Sequence, residues 1–330
     1  QGQAQVSLRG LGSSRTLVLL NGRRLPKAPA FAVAPDLNTI PIAAIERIEI
    51  LTDGASAVYG SDALGGVINI ITRENYEGAE FMYGVSEVDP KGGDREEGSI
   101  LFGAASDSSS IIAGASWNDR DIIFARDFPW YRPGASVYGN SFAEDGGAFF
   151  TWASVPGGCL DSTGNAPGGF YPVSNGNALD GSGTRCAYNF ALVSADEASI
   201  KNASAFVYAE HEINNDWSVY SDIAVTKTES FGRYAPVPDT SDPIFGGLGP
   251  VSVNSPNNPT NPDSPLYDPA FGPPRPLNWW HRFDALGNRD TTIETRLDDL
   301  LVGTKGYIGM FEVEAGLRIT DNKTSDIGRN

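Results

Sequence analysis

Little in this chain is equipped for covalent chemistry. Its 330 residues include two cysteines, two histidines and two methionines, so a zinc cluster or a Cys/His catalytic pair has almost nothing to draw on. No G-x-S-x-G or H-E-x-x-H string occurs, which removes the nucleophile elbow and the metalloprotease helix. Gly10-Leu11-Gly12-Ser13-Ser14-Arg15 approaches a dinucleotide fingerprint, but Arg15 replaces the third glycine and a strand pattern follows where a helix should begin. Positive charge is scarce: 24 Lys and Arg against 41 Asp and Glu give a formal charge of -17, whereas phosphate-directed nucleic-acid binding needs clustered cations. No run of 18 apolar residues exists, which excludes a transmembrane helix. It does not exclude a barrel strand, where only alternate residues face lipid.

What is present points to turns and strands. Thr16 to Leu20 is a short β-rich apolar run halted by Asn21-Gly22, a pair suited to the positive φ angles of a tight turn. Pro41 fits the first turn of a brief helix, and the spacing of Ile45, Ile48 and Ile50 then shifts from helix to strand. Val67 to Ile71 is apolar at nearly every position, as in a strand buried on both faces. The expected product is a small α/β globule.

The order and spacing of Ile45 to Arg73, reading IERIEILTDGASAVYGSDALGGVINIITR, closely resemble the plug domain of TonB-dependent outer-membrane receptors. Val6 to Gly22 resembles the preceding strand pair of that plug, so the resemblance covers residues 1–76. It implies a membrane β fold: a transmembrane antiparallel β-barrel of about 22 strands, with the N-terminal α/β plug in its lumen. The chain starts at Gln1 with no methionine, signal peptide or energy-coupling box, and we read it as a fragment, with plug at 1–76 and barrel at 77–330.

The remainder supports the barrel through pattern alone. Ala79, Phe81, Tyr83 and Val85 alternate with Glu80, Met82, Gly84 and Ser86, and Phe311, Val313, Ala315, Leu317 and Ile319 with Glu312, Glu314, Gly316, Arg318 and Thr320. Seven strands are expected near 77–88, 96–106, 110–120, 196–212, 217–230, 289–305 and 310–322. Short and long connections then alternate strictly, as they do when periplasmic turns oppose extracellular loops. Phe81, Tyr83, Trp117, Val219 and Val313 should face lipid, and Glu80, Ser116, Tyr220, Glu312 and Arg318 the lumen.

Candidate sites rest partly on the resemblance. Arg9 is similar to a plug arginine that pairs with barrel-wall glutamates, although Val58 stands where some relatives have a second arginine. Lys27 and Phe31, in the plug loop Leu25 to Asp36, are candidates for ligand contact. In the second long loop, Trp279 and Trp280 either stack on a sugar ring or other flat ligand, or belong to the interfacial aromatic girdle or to loop packing, the reading we favour. Residues 236–276, dense in Pro, Asn and Asp, should contain rigid polyproline-like stretches. Cys159 and Cys186 are expected to form a loop-stapling disulfide, since bacterial surface loops meet an oxidising environment. His211 and His281 read as ordinary strand or loop residues.

The function implied is TonB-dependent uptake of a scarce nutrient, with no enzymatic activity, no cofactor and no metal. Its partners would be TonB, outer-membrane lipid and a small ligand: a siderophore, oligosaccharide, peptide or cobalamin. The alternative is a non-transporting surface protein, an adhesin or assembly scaffold, on the same fold.

Overall fold

The computed structural model describes every residue except 1, 29–33, 53–54, 90, 146–152, 157–158, 160–166, 177 and 330. The chain divides into two compact units: residues 1–122, 197–232 and 291–327 form the first, and 123–196, 233–290 and 328–330 the second.

In the first unit the N-terminal residues build a four-stranded mixed sheet. Thr16–Leu20 pairs antiparallel with Arg23–Arg24 and parallel with Gly66–Thr72, which pairs antiparallel with Ile45–Leu51. The hairpin turns at Asn21 and Gly22, with φ of 49° and 76°, as the Asn-Gly signal requires. The Asn21 side chain then fixes the tip to the far strand, accepting from the Thr72 N–H at 2.9 Å and donating to its Oγ1 at 2.7 Å. Leu17 and Leu19 pack with Val67 on one side of the sheet, and Val18 with Ile68 and Ile70 on the other, so the apolar runs are buried on both faces. The helix expected after Pro41 is a single 3-10 turn, Ile42–Ala44.

Seven long strands follow: Gly78–Ser86, Arg95–Ala105, Ser109–Arg120, Ser199–Asn214, Trp217–Tyr234, Arg289–Ile308 and Phe311–Arg329. They form one sheet in sequence order, and the first five pair antiparallel with their neighbours. Each expected strand is found, with boundaries shifted by up to four residues except at the end of the last, which runs seven residues further than expected. Phe81, Tyr83, Trp117 and Val219 are exposed on the face turned away from the plug, while Ser116 and Tyr220 are buried on the face toward it. Arg318 lies on that inner side with Asp299, 2.8 Å away. The period-two reading therefore has the correct phase.

The second unit holds the segments read from sequence as long loops, and they carry structure of their own. One sheet orders Ala153–Ser154, Asn140–Glu144, Leu277–Arg282 and Pro238–Thr240; another joins Phe170–Ser174, Thr184–Asn189 and Ala135–Ser136. Cys159 and Cys186 are disulfide-bonded, with Cα atoms 5.2 Å apart, inside an apolar cluster with Phe170 and Tyr188.

Within residues 236–276, where polyproline-like stretches are expected, the segment 252–267 is instead a ribbon of tandem turns. Backbone N–H groups of Ser255, Asn258, Asn261, Ser264 and Tyr267 each donate to the carbonyl three residues earlier. The side chains of Ser252, Ser255, Asn258, Asn261 and Ser264 each accept the N–H two residues ahead. Pro256, Pro259, Pro262 and Pro265 occupy the second position of successive turns, where a fixed φ and a missing N–H are no handicap. A Ser/Asn-Pro-x period of three thus repeats an Asx- or Ser-capped turn. Proline content alone suggested extension; the residue before each proline decided otherwise.

Candidate functional site

Two places in the molecule bring chemically distinctive side chains together. The first is where the plug meets the inner face of the long strands. Arg23 follows the pinned Asn21-Gly22 turn, so its side chain is delivered outward from the sheet end. Its Nη2 donates to Tyr220 Oη at 2.8 Å and pairs with the Glu314 carboxylate, while Tyr220 donates to the same carboxylate at 2.5 Å. The guanidinium carbon also sits 5.6 Å from the Tyr220 ring centre, within cation–π range. Nearby, Lys305 reaches Glu210 at 3.0 Å and Glu74 at 3.9 Å, and Arg318 donates to the Arg24 carbonyl at 3.4 Å.

Two more patches complete the contact. Asn202 donates to the Asn38 carbonyl at 2.6 Å and Thr226 to the Thr39 carbonyl at 2.8 Å. Asp36 organises this plug turn, accepting the N–H groups of Ala4 and Asn38 at 3.0 and 3.1 Å; burial raises its pKa above the ordinary carboxylate value. Ala44 packs with Leu101, Ile112 and Phe206 of the wall. The inner wall is therefore not polar throughout: it carries an apolar seat for the 3-10 turn.

Arg9, the residue expected to dock the plug, is exposed with a φ of 55°; the plug–wall ion pair built by the hairpin belongs to Arg23. Sequence offered a usable signal for it, an arginine one residue past an Asn-Gly turn, and its partner Glu314 lay on the strand whose alternation was cleanest. Lys27 is exposed. Phe31 lies outside the described residues.

The second place is within the second unit. Trp279 and Trp280 are adjacent on the strand Leu277–Arg282, so their side chains leave on opposite faces. Trp280 is 3% exposed and packs on Tyr138 and Phe245, with ring centres 5.0 Å apart in both cases. It is a packing residue rather than half of an aromatic clamp. Trp279 turns the other way, edge-on to Phe283 at 5.9 Å, and borders a cavity of about 790 Å³ whose wall also includes Phe142, Val251, Ser255 and Asn257. His281 shares that face, stacked on Phe170 at 6.0 Å. Burial lowers its pKa more than the nearby Asp284 carboxylate and a backbone hydrogen bond raise it, which favours the neutral ring.

Among the described residues no group of three or more His, Cys, Asp or Glu is arranged to hold a metal ion, and no helix is long and apolar enough to cross a membrane.

Comparison with known proteins agrees with this architecture. Residues 1–67 match the family model of the TonB-dependent Receptor Plug Domain. Among solved structures, the ferric enterobactin receptor PfeA of Pseudomonas aeruginosa aligns over 98% of this chain and 36% of its own length, at 14% identity and a TM-score of 0.52. The siderophore receptor PirA from Acinetobacter baumannii aligns over 98% of this chain and 39% of its own, at 18% identity and a TM-score of 0.40. The chain thus spans well under half the length of these receptors. Residues 1–67 are thus a TonB-dependent receptor plug domain, and the chain as a whole shares the fold of the outer-membrane receptors that carry one.

Proposed function

We propose that this chain is the gated part of a receptor for active, TonB-dependent uptake of a small nutrient, with the plug of residues 1–76 held closed against the wall by the contacts around Arg23. The observation that carries the reading is the division of the plug–wall contact into separable patches: a half-exposed cation–tyrosine–carboxylate group, two hydrogen bonds to plug carbonyls, and one small apolar seat. A barrel of about 22 strands is wide enough to need a filling. Contacts of modest individual strength let a pulling force release the filling in steps, whereas a continuous hydrophobic core would resist as one block. In this reading Arg9 adds a further docking contact and Lys27 faces incoming ligand. The work is supplied by the proton gradient through TonB, and the chain itself carries no catalytic step.

The test is nutrient accumulation by cells expressing the intact receptor. Accumulation that stops on collapsing the proton gradient or deleting TonB, while surface binding persists, is the expected result. Accumulation-independent binding with no effect of either treatment would favour the adhesin or scaffold reading.

A further inference from the structure

We infer that the cavity beside Trp279 is a binding site for an uncharged oligosaccharide. The inference names the ligand class for the receptor proposed above and rests on reading the chain as a receptor.

Three features of the cavity carry it. Among the described residues its wall contains no lysine, arginine, aspartate or glutamate, and its titratable side chain there, His281, is held toward the neutral state by burial. Arg275, beyond the end of the ribbon, is directed to Glu144 at 3.8 Å and is absent from the lining. An anionic ferric chelate would therefore enter without the charge-assisted hydrogen bonds that select such ligands, in a chain whose net charge is already -17. A neutral ligand meets neither penalty.

The aromatic part of the wall is a chain of edge-to-face rings. Trp279 and Phe283 meet edge to face at 82°, and Phe283 and His281 at 89°, so each ring braces the next. Braced rings offer π faces to the C–H face of a sugar without rearranging. The volume, about 790 Å³, lies in the range of ligand sites that hold several sugar-sized units, roughly 300–1,000 Å³.

The polar part comes from the turn ribbon, which supplies Ser252, Ser255 and Asn257 to the same wall. The oxygens of Ser252 and Ser255 accept N–H groups of Asn254 and Asn257 at 3.3 and 3.1 Å. A hydroxyl that accepts in this way keeps its O–H for donation, and the turn fixes where that donor points. Asn257 is exposed and brings both an amide donor and an acceptor. Hydroxyl and amide groups from Ser252, Ser255 and Asn257 beside edge-to-face rings are complementary to a chain of vicinal hydroxyls, and they provide nothing that a charged ligand requires.

The experiment is direct binding of the intact receptor in detergent to an array of neutral oligosaccharides of three to six units, with the strongest binder carried into calorimetry and ferric citrate as the anionic comparator. Saturable binding of a neutral glycan is expected, weakened about tenfold or more by Trp279→Ala, roughly the loss of one aromatic stacking contact. Asn257→Ala, at an exposed position, should weaken it several-fold without altering the melting temperature, which separates ligand contact from misfolding. Absence of any neutral binder, binding indifferent to both substitutions, or Trp279-dependent binding of ferric citrate instead would each overturn the inference. None of these outcomes involves TonB or the proton gradient, so failure here leaves the uptake reading standing, and loss of energised uptake with glycan binding intact would sink only that reading.

Discussion

Removing the Arg23 side chain should loosen the plug by an amount that the geometry bounds on both sides. The guanidinium donates to Tyr220 at 2.8 Å and pairs with Glu314, with side-chain exposures of 31% for Arg23 and 48% for Glu314. Water screens so open a pair, and such pairs contribute about 0.2–1 kcal/mol; the hydrogen bond to tyrosine adds on the order of 1 kcal/mol. Tyr220 keeps its bond to Glu314 at 2.5 Å after the truncation, so no polar atom is orphaned at the wall and the larger penalties of broken buried pairs do not apply. The expected loss for Arg23→Ala is about 2 kcal/mol, a roughly 30-fold rise in the undocked population. The probe is Thr39→Cys, at a plug position buried against the wall, labelled with a maleimide in outer-membrane vesicles. When reclosing is faster than labelling, the rate follows the open population. A labelling rate unchanged within threefold would refute the assignment of Arg23 to docking, as would a double-mutant cycle with Glu314→Ala that shows no coupling.

Arg9→Ala should raise labelling of that cysteine less than Arg23→Ala does, and equal or greater acceleration would return the main docking role to Arg9. Asn258 is fully buried, donates to the Arg275 carbonyl and, in a shared bond, to those of Val251 and Ser252, and accepts from Thr260 at 2.9 and 2.7 Å, so Asn258→Ala should cost about 3 kcal/mol or more through unsatisfied groups, read as protease cleavage between residues 250 and 276. The folded pKa of His281 lies below its unfolded value, so the unfolded chain binds the extra proton, and stability of the second unit is full above the unfolded pKa near 6.5. That stability should fall as pH drops below this point, in a near-UV melt whose acid slope His281→Phe flattens. Opening the Cys159–Cys186 bond, with a sequence separation of 27, should destabilise the second unit by about 3.5 kcal/mol on the chain-entropy model, checked by melting with and without reductant.

The sequence alone determined the barrel strands and the plug hairpin. A strand between lipid and lumen must alternate at period two, and the pattern in 78–86 or 311–320 carries that demand in the residues themselves, so facing as well as position was legible. Asn21-Gly22 encodes a turn for an equally local reason, the left-handed backbone the pair tolerates. Tertiary structure alone decided what meets across the chain. Arg23 and Glu314 are 291 positions apart, and no local rule pairs an arginine with one of 41 acidic residues. The segments between strands concealed more. Within 277–282 both faces pack against something, so Leu277-Asn278-Trp279-Trp280-His281 shows no alternation, and the assignment of Trp279 to a cavity and Trp280 to a core waited on the neighbours that fill each side. In the ribbon, the three-residue period was present in the letters, but a proline-rich repeat is compatible with an extended helix or with stacked turns. The choice fell to the Ser and Asn side chains that cap each turn and to buried Asn258, whose partners are brought together only when the ribbon folds onto the segment around Arg275.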